Sequence, residues 1–176
     1  MISMESAESR TSRSIAMHPY DIQSFLDYFS GIGKTISCAE SCTGGLIGAT
    51  ITSVPGASSV FLGGVVSYSN DIKRSLLNVP EEELSKFGAV STQVAKSMAR
   101  GVSKLTGSDF SVATTGIAGP GGAVPGKPVG TVCIGVSDGC RSLASVFCFK
   151  GNRDEVRIQA TYEAISMLVD FAEGKL

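Results

Sequence analysis

The chain has 176 residues, of which 43% are hydrophobic, and its 15 basic and 16 acidic side chains give a formal net charge of -1. This size and apolar content suit one compact domain with a buried core. Near-neutral charge without a block of like charges argues against non-specific binding to nucleic acid or to an anionic membrane, so we expect a small-molecule partner.

Sequence signals for membrane insertion or export are missing. No apolar run approaches the roughly 20 residues of a membrane span. Residues 1–17 are polar and serine-rich, without the apolar stretch of a secretory signal. We therefore expect a cytoplasmic protein with a flexible tail over residues 1–17 and a single domain over residues 18–176.

Metal binding and histidine-based catalysis are both disfavoured. The five cysteines predict free thiols in a reducing compartment, and Cys38 and Cys42 lack the second ligand pair of a zinc site. The single histidine, His18, precedes Pro19 next to the expected tail. We expect no metal and no cofactor, and any nucleophile must be activated by Lys, Tyr or a carboxylate.

The first half of the chain alternates helices with strands. Pro19 suits a first helical turn, and apolar residues follow it at helical spacing. Gly63 and Gly64 mark a bulge or a close backbone approach within an apolar run. In order, the predicted elements are a helix from Pro19 to about Gly31, a strand over residues 35–39, a helix from Leu46, a strand over residues 60–68 and a short helix capped by Asn70.

The second half holds a long helix, three strands and a closing helix. Asp138-Gly139 between two apolar runs predicts a hairpin turn, and Asn152 with Glu155 forms a capping box. In order, the predicted elements are a helix from Ser91, a strand over residues 110–115, a glycine-rich loop over 116–128, strands over 129–136 and 142–149, and a helix after Asn152. Together they predict an α/β fold, a three-layer α/β/α sandwich with a mixed, mostly parallel sheet of about five strands.

Three turns rich in glycine, serine or threonine each follow a predicted strand. They cover residues 39–45, 114–122 and 150–153. Ligands of open α/β sheets bind beyond the strand ends, so these turns are expected to form one cleft. The alternative for each turn alone is that its glycines only satisfy turn geometry.

Two cations stand at predicted helix N-termini, where the helix dipole disfavours positive charge by ~0.3–1 kcal/mol. Arg153 follows the cap Asn152, where it suits a phosphate or carboxylate, although a solvated surface Arg fits the spacing equally well. Lys73 lies three residues after Asn70, and dipole and burial would lower its pKa toward a neutral base. The alternative is an exposed Lys73.

Ser41 is the candidate nucleophile. It lies in a turn between a predicted strand and helix, where the N–H groups of Cys42, Thr43 and Gly44 would form an oxyanion hole. Two alternatives stay open: Ser41 is only a helix cap, or the Cys42 thiol is the nucleophile.

Residues 121–127 match the G-x-x-x-x-G-K spacing of a nucleotide-triphosphate loop. Pro128 follows where a magnesium-binding hydroxyl and a helix are needed, and a strand is predicted next. We interpret the match as coincidental, although Lys127 and the loop amides could still hold a single phosphate.

Five motifs in order resemble the CinA C-terminal domain family over about residues 32–171. This ordered set is far more specific than any single glycine loop. The motifs are Ala39-Glu40-Ser41-Cys42-Thr43-Gly44-Gly45, Val66-Ser67-Tyr68-Ser69-Asn70 with Lys73, Gly88-Ala89-Val90-Ser91, Thr115-Gly116-Ile117-Ala118-Gly119-Pro120 and Lys127-Pro128-Val129-Gly130-Thr131.

The resemblance implies a nicotinamide-nucleotide amidase, which converts nicotinamide mononucleotide to nicotinic acid mononucleotide and ammonia in pyridine-nucleotide recycling. It implies Ser41 as nucleophile, Lys73 as its base and Tyr68 nearby, relaying a proton, stacking on the pyridinium or only anchoring a strand end. It also implies a homo-oligomer. The residues expected near the nucleotide are Thr115, Gly116, Gly119, Gly121, Gly122, Lys127 and Arg153.

Two functional hypotheses follow from these residues. In the first, neutral Lys73 takes the Ser41 proton, an acyl-enzyme forms on Ser41, and water releases the acid. In the second, the same loops form a non-catalytic nucleotide-binding regulatory module, because a fold and site can outlive activity.

Overall fold

A computed structural model describes residues 20–176 and shows one five-stranded mixed sheet. Its strands are β1 (Ile36–Glu40), β2 (Phe61–Val66), β3 (Phe110–Gly116), β4 (Thr131–Ser137) and β5 (Ser142–Cys148), in the order β2-β1-β3-β4-β5. The predicted tail, His18 and Pro19 lie outside the described residues.

The sheet is mixed, as predicted, but half rather than most of its neighbouring pairs are parallel. Strand β1 pairs in parallel with β2 and β3, whereas β4 pairs antiparallel with both β3 and β5. The β4–β5 pair is the hairpin that Asp138-Gly139 predicts, and a tight hairpin can only join antiparallel strands. Strand β4 therefore runs against the other four.

Six α-helices surround the sheet in the described part of the chain. They are α1 (Tyr20–Gly31), α2 (Leu46–Ile51), α3 (Asn70–Leu77), α4 (Glu81–Phe87), α5 (Thr92–Thr106) and α6 (Arg153–Ala172), with a 3-10 turn at Ala57–Ser59. Helix α4 was not predicted, although three glutamates after Pro80 are a typical acidic first turn.

Helix caps agree with the prediction at two places and differ at one. Ser91 caps α5, and Asn152 and Glu155 form the predicted capping box of α6. Helix α3 is capped by Ser69, whose hydroxyl accepts the Ile72 N–H, so the predicted cap at Asn70 is wrong. Extended backbone at Ser69 (φ -91°) suits an N-cap, which leaves Asn70 as the first helical residue.

The sheet separates two hydrophobic cores. Adjacent strand residues point to opposite faces, and Cys38 and Val112 belong to one core whereas Ala39 and Ala113 belong to the other. The first core includes apolar residues of α1, α2 and α6, and the second those of α3, α4 and α5. Helices thus pack on the sheet from both sides, consistent with an α/β fold.

The glycine pair in β2 has the role that its sequence predicts. The register between β1 and β2 shifts between Ile36, which pairs with Phe61, and Ser37, which pairs with Gly63. A Cβ at Gly64 would lie 2.5 Å from the Cys38 Sγ atom. This pair therefore combines a bulge with a close approach to β1.

Four parallel-running strands bring four loops to one edge of the sheet. Because β1, β2, β3 and β5 share a direction, their carboxyl ends lie at the same edge. Hydrogen bonds fasten the loops there, from Ser41 N–H to the Thr114 carbonyl at 2.9 Å and from Ser67 N–H to the Glu40 carbonyl at 2.8 Å. Ligand sites of α/β folds form at such an edge.

No helix among residues 20–176 combines the length and apolarity needed to cross a membrane.

Helix α5 packs closely on the end of α3 at Gly101. A Cβ there would overlap the Leu77 backbone carbonyl, whereas a Cβ at Gly48 in α2 meets nothing closer than 3.7 Å. We expect Gly101→Ala to lower the free energy of unfolding by roughly 1–3 kcal/mol, because backbone must move. Gly48→Ala, the matched helical control, should raise it by about 0.5–1 kcal/mol through helix propensity. Urea denaturation measures both, and equal effects would contradict the packing argument.

Candidate active site

Ser41 lies in a buried turn directly after β1. Its side chain is 9% exposed and lines a cavity of about 250 Å³ at the carboxyl edge of the sheet. Its N–H is bound to the neighbouring strand through Thr114, which fixes the start of the turn. The Ser41 hydroxyl is therefore held at the floor of the cavity.

Lys73 extends from α3 to the same hydroxyl. It is 1% exposed, and its Nζ lies 3.1 Å from Ser41 Oγ and donates to the Ser67 carbonyl at 2.7 Å. A third contact, to the Tyr68 carbonyl, is 3.5 Å long. The alternative of an exposed Lys73 is thus wrong, because α3 directs its buried face, with Lys73 and Leu77, toward the sheet.

The surroundings of Lys73 favour its uncharged form. Burial lowers the pKa of its amine from the ordinary value. In the described part of the chain no carboxylate forms an ion pair with it, and its partners are a hydroxyl and two carbonyls. An uncharged amine can accept a proton, so Lys73 has the chemistry of a general base.

The turn after Ser41 differs from the predicted helix start. Helix α2 begins only at Leu46, after Gly45 at φ 103°, so Ser41 precedes the helix by a full turn. The Gly44 N–H donates to the Ser41 carbonyl at 3.2 Å. Among residues 20–176, no backbone carbonyl accepts the N–H of Cys42 or Thr43. These two N–H groups are the better candidates for an oxyanion hole, and Gly44 is a poorer one.

The competing nucleophile, Cys42, is chemically unsuited to that role. Its side chain is buried, and desolvation raises the pKa of its thiol to about 12. A thiol with so high a pKa supplies almost no thiolate near neutral pH. Lys73 contacts Ser41 rather than Cys42, so geometry favours the serine.

The cavity brings together seven of the thirteen predicted site residues. Those lining it are Ser41, Cys42, Tyr68, Lys73, Thr115, Gly116 and Arg153. Six others do not line it, namely Thr43, Gly44, Gly119, Gly121, Gly122 and Lys127. Asn70, Ala89, Val90 and Ala118 complete the lining. Because Ala89 and Val90 lie between α4 and α5, far from any strand end in sequence, the search among strand-following turns did not find them.

Arg153 closes one side of the cavity together with Tyr68. Its guanidinium donates to the Gly119 carbonyl at 2.8 Å and to the Tyr68 hydroxyl at 3.2 Å. Tyr68 is 63% exposed, so its ring lies at the rim. Its hydroxyl pairs with Arg153, and its backbone carbonyl, rather than its phenol, contacts Lys73.

Two further predicted residues have structural partners. Lys127 donates to the Phe87 carbonyl at 2.9 Å, and β4 rather than a helix follows its loop, which agrees with a coincidental nucleotide-loop match. The Thr115 hydroxyl donates to the Ala89 carbonyl at 2.8 Å and so ties β3 to the opposite cavity wall.

Glu40 and Arg157 support the turn that carries Ser41, a role that the sequence analysis assigned to neither. The buried Glu40 carboxylate accepts N–H groups from the start of α2, and Arg157 donates to the Thr43 carbonyl at 3.0 Å. The signals for Glu40 were its position next to Ser41 and its place in the first of the five family motifs. Within residues 20–176, no three His, Cys, Asp or Glu side chains are grouped to hold a metal ion.

The fold and the site define an α/β protein with a buried serine–lysine pair at the carboxyl edge of its sheet. Residues 22–172 match the family model described as the CinA C-terminal domain. The chain belongs to this family.

Named relatives agree with this assignment. A CinA-like protein of Geobacter metallireducens is 48% identical over 140 residues, which make up 80% of this chain and 34% of that protein. A CinA-like protein of Synechococcus sp. is 64% identical over 102 residues, or 58% of this chain and 24% of that protein. The chain thus spans about a quarter to a third of the length of these curated relatives.

Solved structures share the fold over nearly their whole length. The competence/damage inducible protein CihA from Agrobacterium tumefaciens superposes with a TM-score of 0.84 at 38% identity, covering 88% of this chain and 94% of that one. The competence damage-inducible protein A (ComA) from Klebsiella pneumoniae gives a TM-score of 0.85 at 28% identity, covering 89% and 98%.

Thiol burial predicts which cysteines react with iodoacetamide. Cys140 and Cys148 are exposed, whereas Cys38, Cys42 and Cys133 are buried and have raised thiol pKa values. In native protein at about pH 8, we expect alkylation of the exposed pair only, because the buried thiols lack thiolate. Peptide mass spectrometry measures this, with unfolded protein as the control in which all five react. Fast alkylation of native Cys42 would restore it as the nucleophile.

Proposed function

We propose that this chain is an amidase that hydrolyses the carboxamide of nicotinamide mononucleotide to nicotinic acid mononucleotide and ammonia, in pyridine-nucleotide recycling. The observation that carries the proposal is the 3.1 Å contact between Ser41 Oγ and the buried Lys73 amine. The family resemblance suggests the substrate. A nucleophile within hydrogen-bond reach of a base is the arrangement that acyl transfer requires.

In the first step Lys73 activates Ser41. As a neutral amine, Lys73 donates its two N–H groups to the carbonyls of Ser67 and Tyr68, which leaves its lone pair facing Ser41. Ser41 Oγ attacks the carboxamide carbon while its proton passes to Lys73 Nζ. The N–H groups of Cys42 and Thr43 stabilise the negative oxygen of the tetrahedral intermediate.

The later steps reuse the same groups. The C–N bond breaks as Lys73 returns its proton to the leaving nitrogen, which departs as ammonia and leaves an ester on Ser41. Water then attacks the ester and gives a proton to Lys73. The ester C–O bond breaks, the proton returns to Ser41 Oγ, and nicotinic acid mononucleotide leaves. One lysine thus acts as base and acid in turn.

The charge around the cavity suits an anionic substrate. Among residues 20–176, no carboxylate lines the cavity, and with Lys73 uncharged the one charged lining side chain is the Arg153 guanidinium. Arg153 could bind the phosphate with its forked donors. The exposed ring of Tyr68 at the rim could stack on the cationic pyridinium, an attraction of ~0.5–2 kcal/mol.

Ser41→Ala and Lys73→Met test the assigned roles. We expect each to reduce ammonia release from nicotinamide mononucleotide by at least about 10³-fold, because nucleophile and base act as a unit. Nucleotide binding, measured by calorimetry, should persist. Exposed Ser53→Ala and Lys86→Met are matched controls and should keep wild-type turnover. Tight binding without turnover by the wild-type protein would favour a non-catalytic nucleotide-binding module instead.

The lowered pKa of Lys73 determines the sign of two pH dependences. Turnover should rise with pH through that pKa, because only the neutral amine accepts a proton. The unfolded chain keeps the proton up to its ordinary pKa of about 10.4, so folding releases a proton and stability rises with pH over this interval. As the pH rises from the lowered pKa toward about 10.4, wild-type stability should therefore increase relative to Lys73→Met. Parallel urea-denaturation curves would contradict a lowered pKa.

A further inference from the structure

Glu40 is a buried carboxylate that the proposed reaction does not use directly. It ends β1, immediately before Ser41, and is 2% exposed. Within the described residues, no lysine or arginine forms an ion pair with it. Burying an uncompensated charge is unfavourable unless hydrogen bonds satisfy it, so its partners must explain its presence.

The partners of Glu40 are the first N–H groups of helix α2. Oε2 accepts from Gly45 at 2.9 Å and Ile47 at 3.1 Å, and Oε1 accepts from Gly48 at 2.9 Å. The Cys38 thiol donates to Oε1 at 3.5 Å. Four donors fill the acceptor sites of an ionised carboxylate. Such charge-assisted bonds are stronger than neutral ones, and the helix dipole adds to them.

This carboxylate substitutes for a local helix cap. Gly45 occupies the N-cap position and has no side chain to bind the free N–H groups. Helix α2 is only six residues long, too short to be stable alone, so its position depends on what holds its start. Glu40 therefore determines where α2 lies relative to β1.

Glu40 contributes a contact at each end of the turn of residues 41–44, in addition to the hydrogen bonds that Thr114 and Arg157 make to it. The Glu40 backbone is fixed in the sheet through the Ser67 N–H, and its side chain fixes residues 45–48. Between these anchors, the N–H groups of Cys42 and Thr43 lack backbone acceptors in the described chain, and Ser41 Oγ meets Lys73.

We propose that Glu40 is a positioning residue, whose carboxylate holds this turn so that the Ser41 hydroxyl and the N–H groups of Cys42 and Thr43 act on one carbonyl. This inference rests on the proposed amidase function. Glu40 does not line the cavity, and its carboxylate contacts neither Ser41 Oγ nor Lys73 Nζ. Its loss therefore weakens transition-state stabilisation more than ground-state binding.

The test compares Glu40→Gln with a matched control. Glutamine replaces one acceptor oxygen by an NH₂ group, which must face at least one N–H donor. The control is Asp109→Asn, since Asp109 also accepts a backbone N–H, from Thr35 at 2.9 Å, but lies at the opposite end of β1 and β3. Both substitutions remove a carboxylate that accepts backbone N–H groups at one end of β1, and only Glu40→Gln affects the nucleophile turn.

We expect Glu40→Gln to lower kcat for nicotinamide mononucleotide by about 10- to 100-fold, with KM changed less than about 3-fold. The rising limb of its pH–rate profile should stay at the wild-type pH, since Lys73 keeps its surroundings. Asp109→Asn should keep wild-type kcat. A folded Glu40→Gln protein with wild-type kcat, or a loss equal to that of Asp109→Asn, would overturn the proposal.

A second variant and a second readout complete the test. Glu40→Asp keeps the charge and should give an intermediate kcat. If Glu40→Gln does not fold, a wild-type kcat in Glu40→Asp would overturn the proposal.

Labelling of Ser41 by a fluorophosphonate should be about 10-fold slower in Glu40→Gln than in wild type. If wild type labels but does not release ammonia, the substrate proposal fails and the positioning role stands. If Ser41 of the wild-type protein is not labelled, both the amidase proposal and the positioning role are overturned. If Glu40→Gln is labelled as fast as wild type, the positioning role alone is overturned.

Discussion

The site depends on a buried lysine amine with which, in the part of the chain that the structure describes, no carboxylate forms an ion pair. An acidic partner would hold Lys73 as an ammonium ion, which cannot accept the Ser41 proton. Backbone carbonyls of Ser67 and Tyr68 satisfy its N–H groups instead, with little negative charge. Burial then favours the neutral form. Hydrogen-bond satisfaction and absence of a counter-ion are thus separate requirements, and the loop before α3 meets both.

The site also requires that side chains from distant parts of the sequence lie close together, and the sheet provides this. Ser41, Lys73 and Arg153 come from three separate parts of the chain, after β1, after β2 and after β5. They meet because those strands point the same way, whereas β4 alone is reversed. Helix α6 adds two cross-links from one face, because Arg153 contacts the Gly119 carbonyl and Arg157 the Thr43 carbonyl. Rigid elements therefore support every loop that borders the cavity.

Local rules predicted most elements and the five-stranded sheet, whereas the pairing of Ser41 with Lys73 was implied by the family resemblance. The local rules overestimated the number of parallel strand pairs in the sheet, because strand direction in a mixed sheet depends on long-range pairing. They placed an oxyanion donor at Gly44, whose N–H the turn itself uses. Glu40 was missed because capping rules consider only the N-cap and the residues just after it, whereas this cap comes from the preceding strand. Cavity residues such as Val90 follow no strand, so their approach to Ser41 and Lys73 is seen only in the folded structure.

The contact at Gly101 has a consequence for the reach of the lysine. Helix α3 spans eight residues and ends against that glycine at Leu77, one turn beyond Lys73 on the same buried face. Because α3 is so short, a displacement of its end at Leu77 moves Lys73 by almost the same amount. Because Gly101 of α5 has no Cβ, α3 can pack closely against α5. This packing distance determines how far the Lys73 amine extends over the sheet. The position of Lys73 relative to Ser41 thus depends partly on how closely α3 and α5 pack behind the cavity wall.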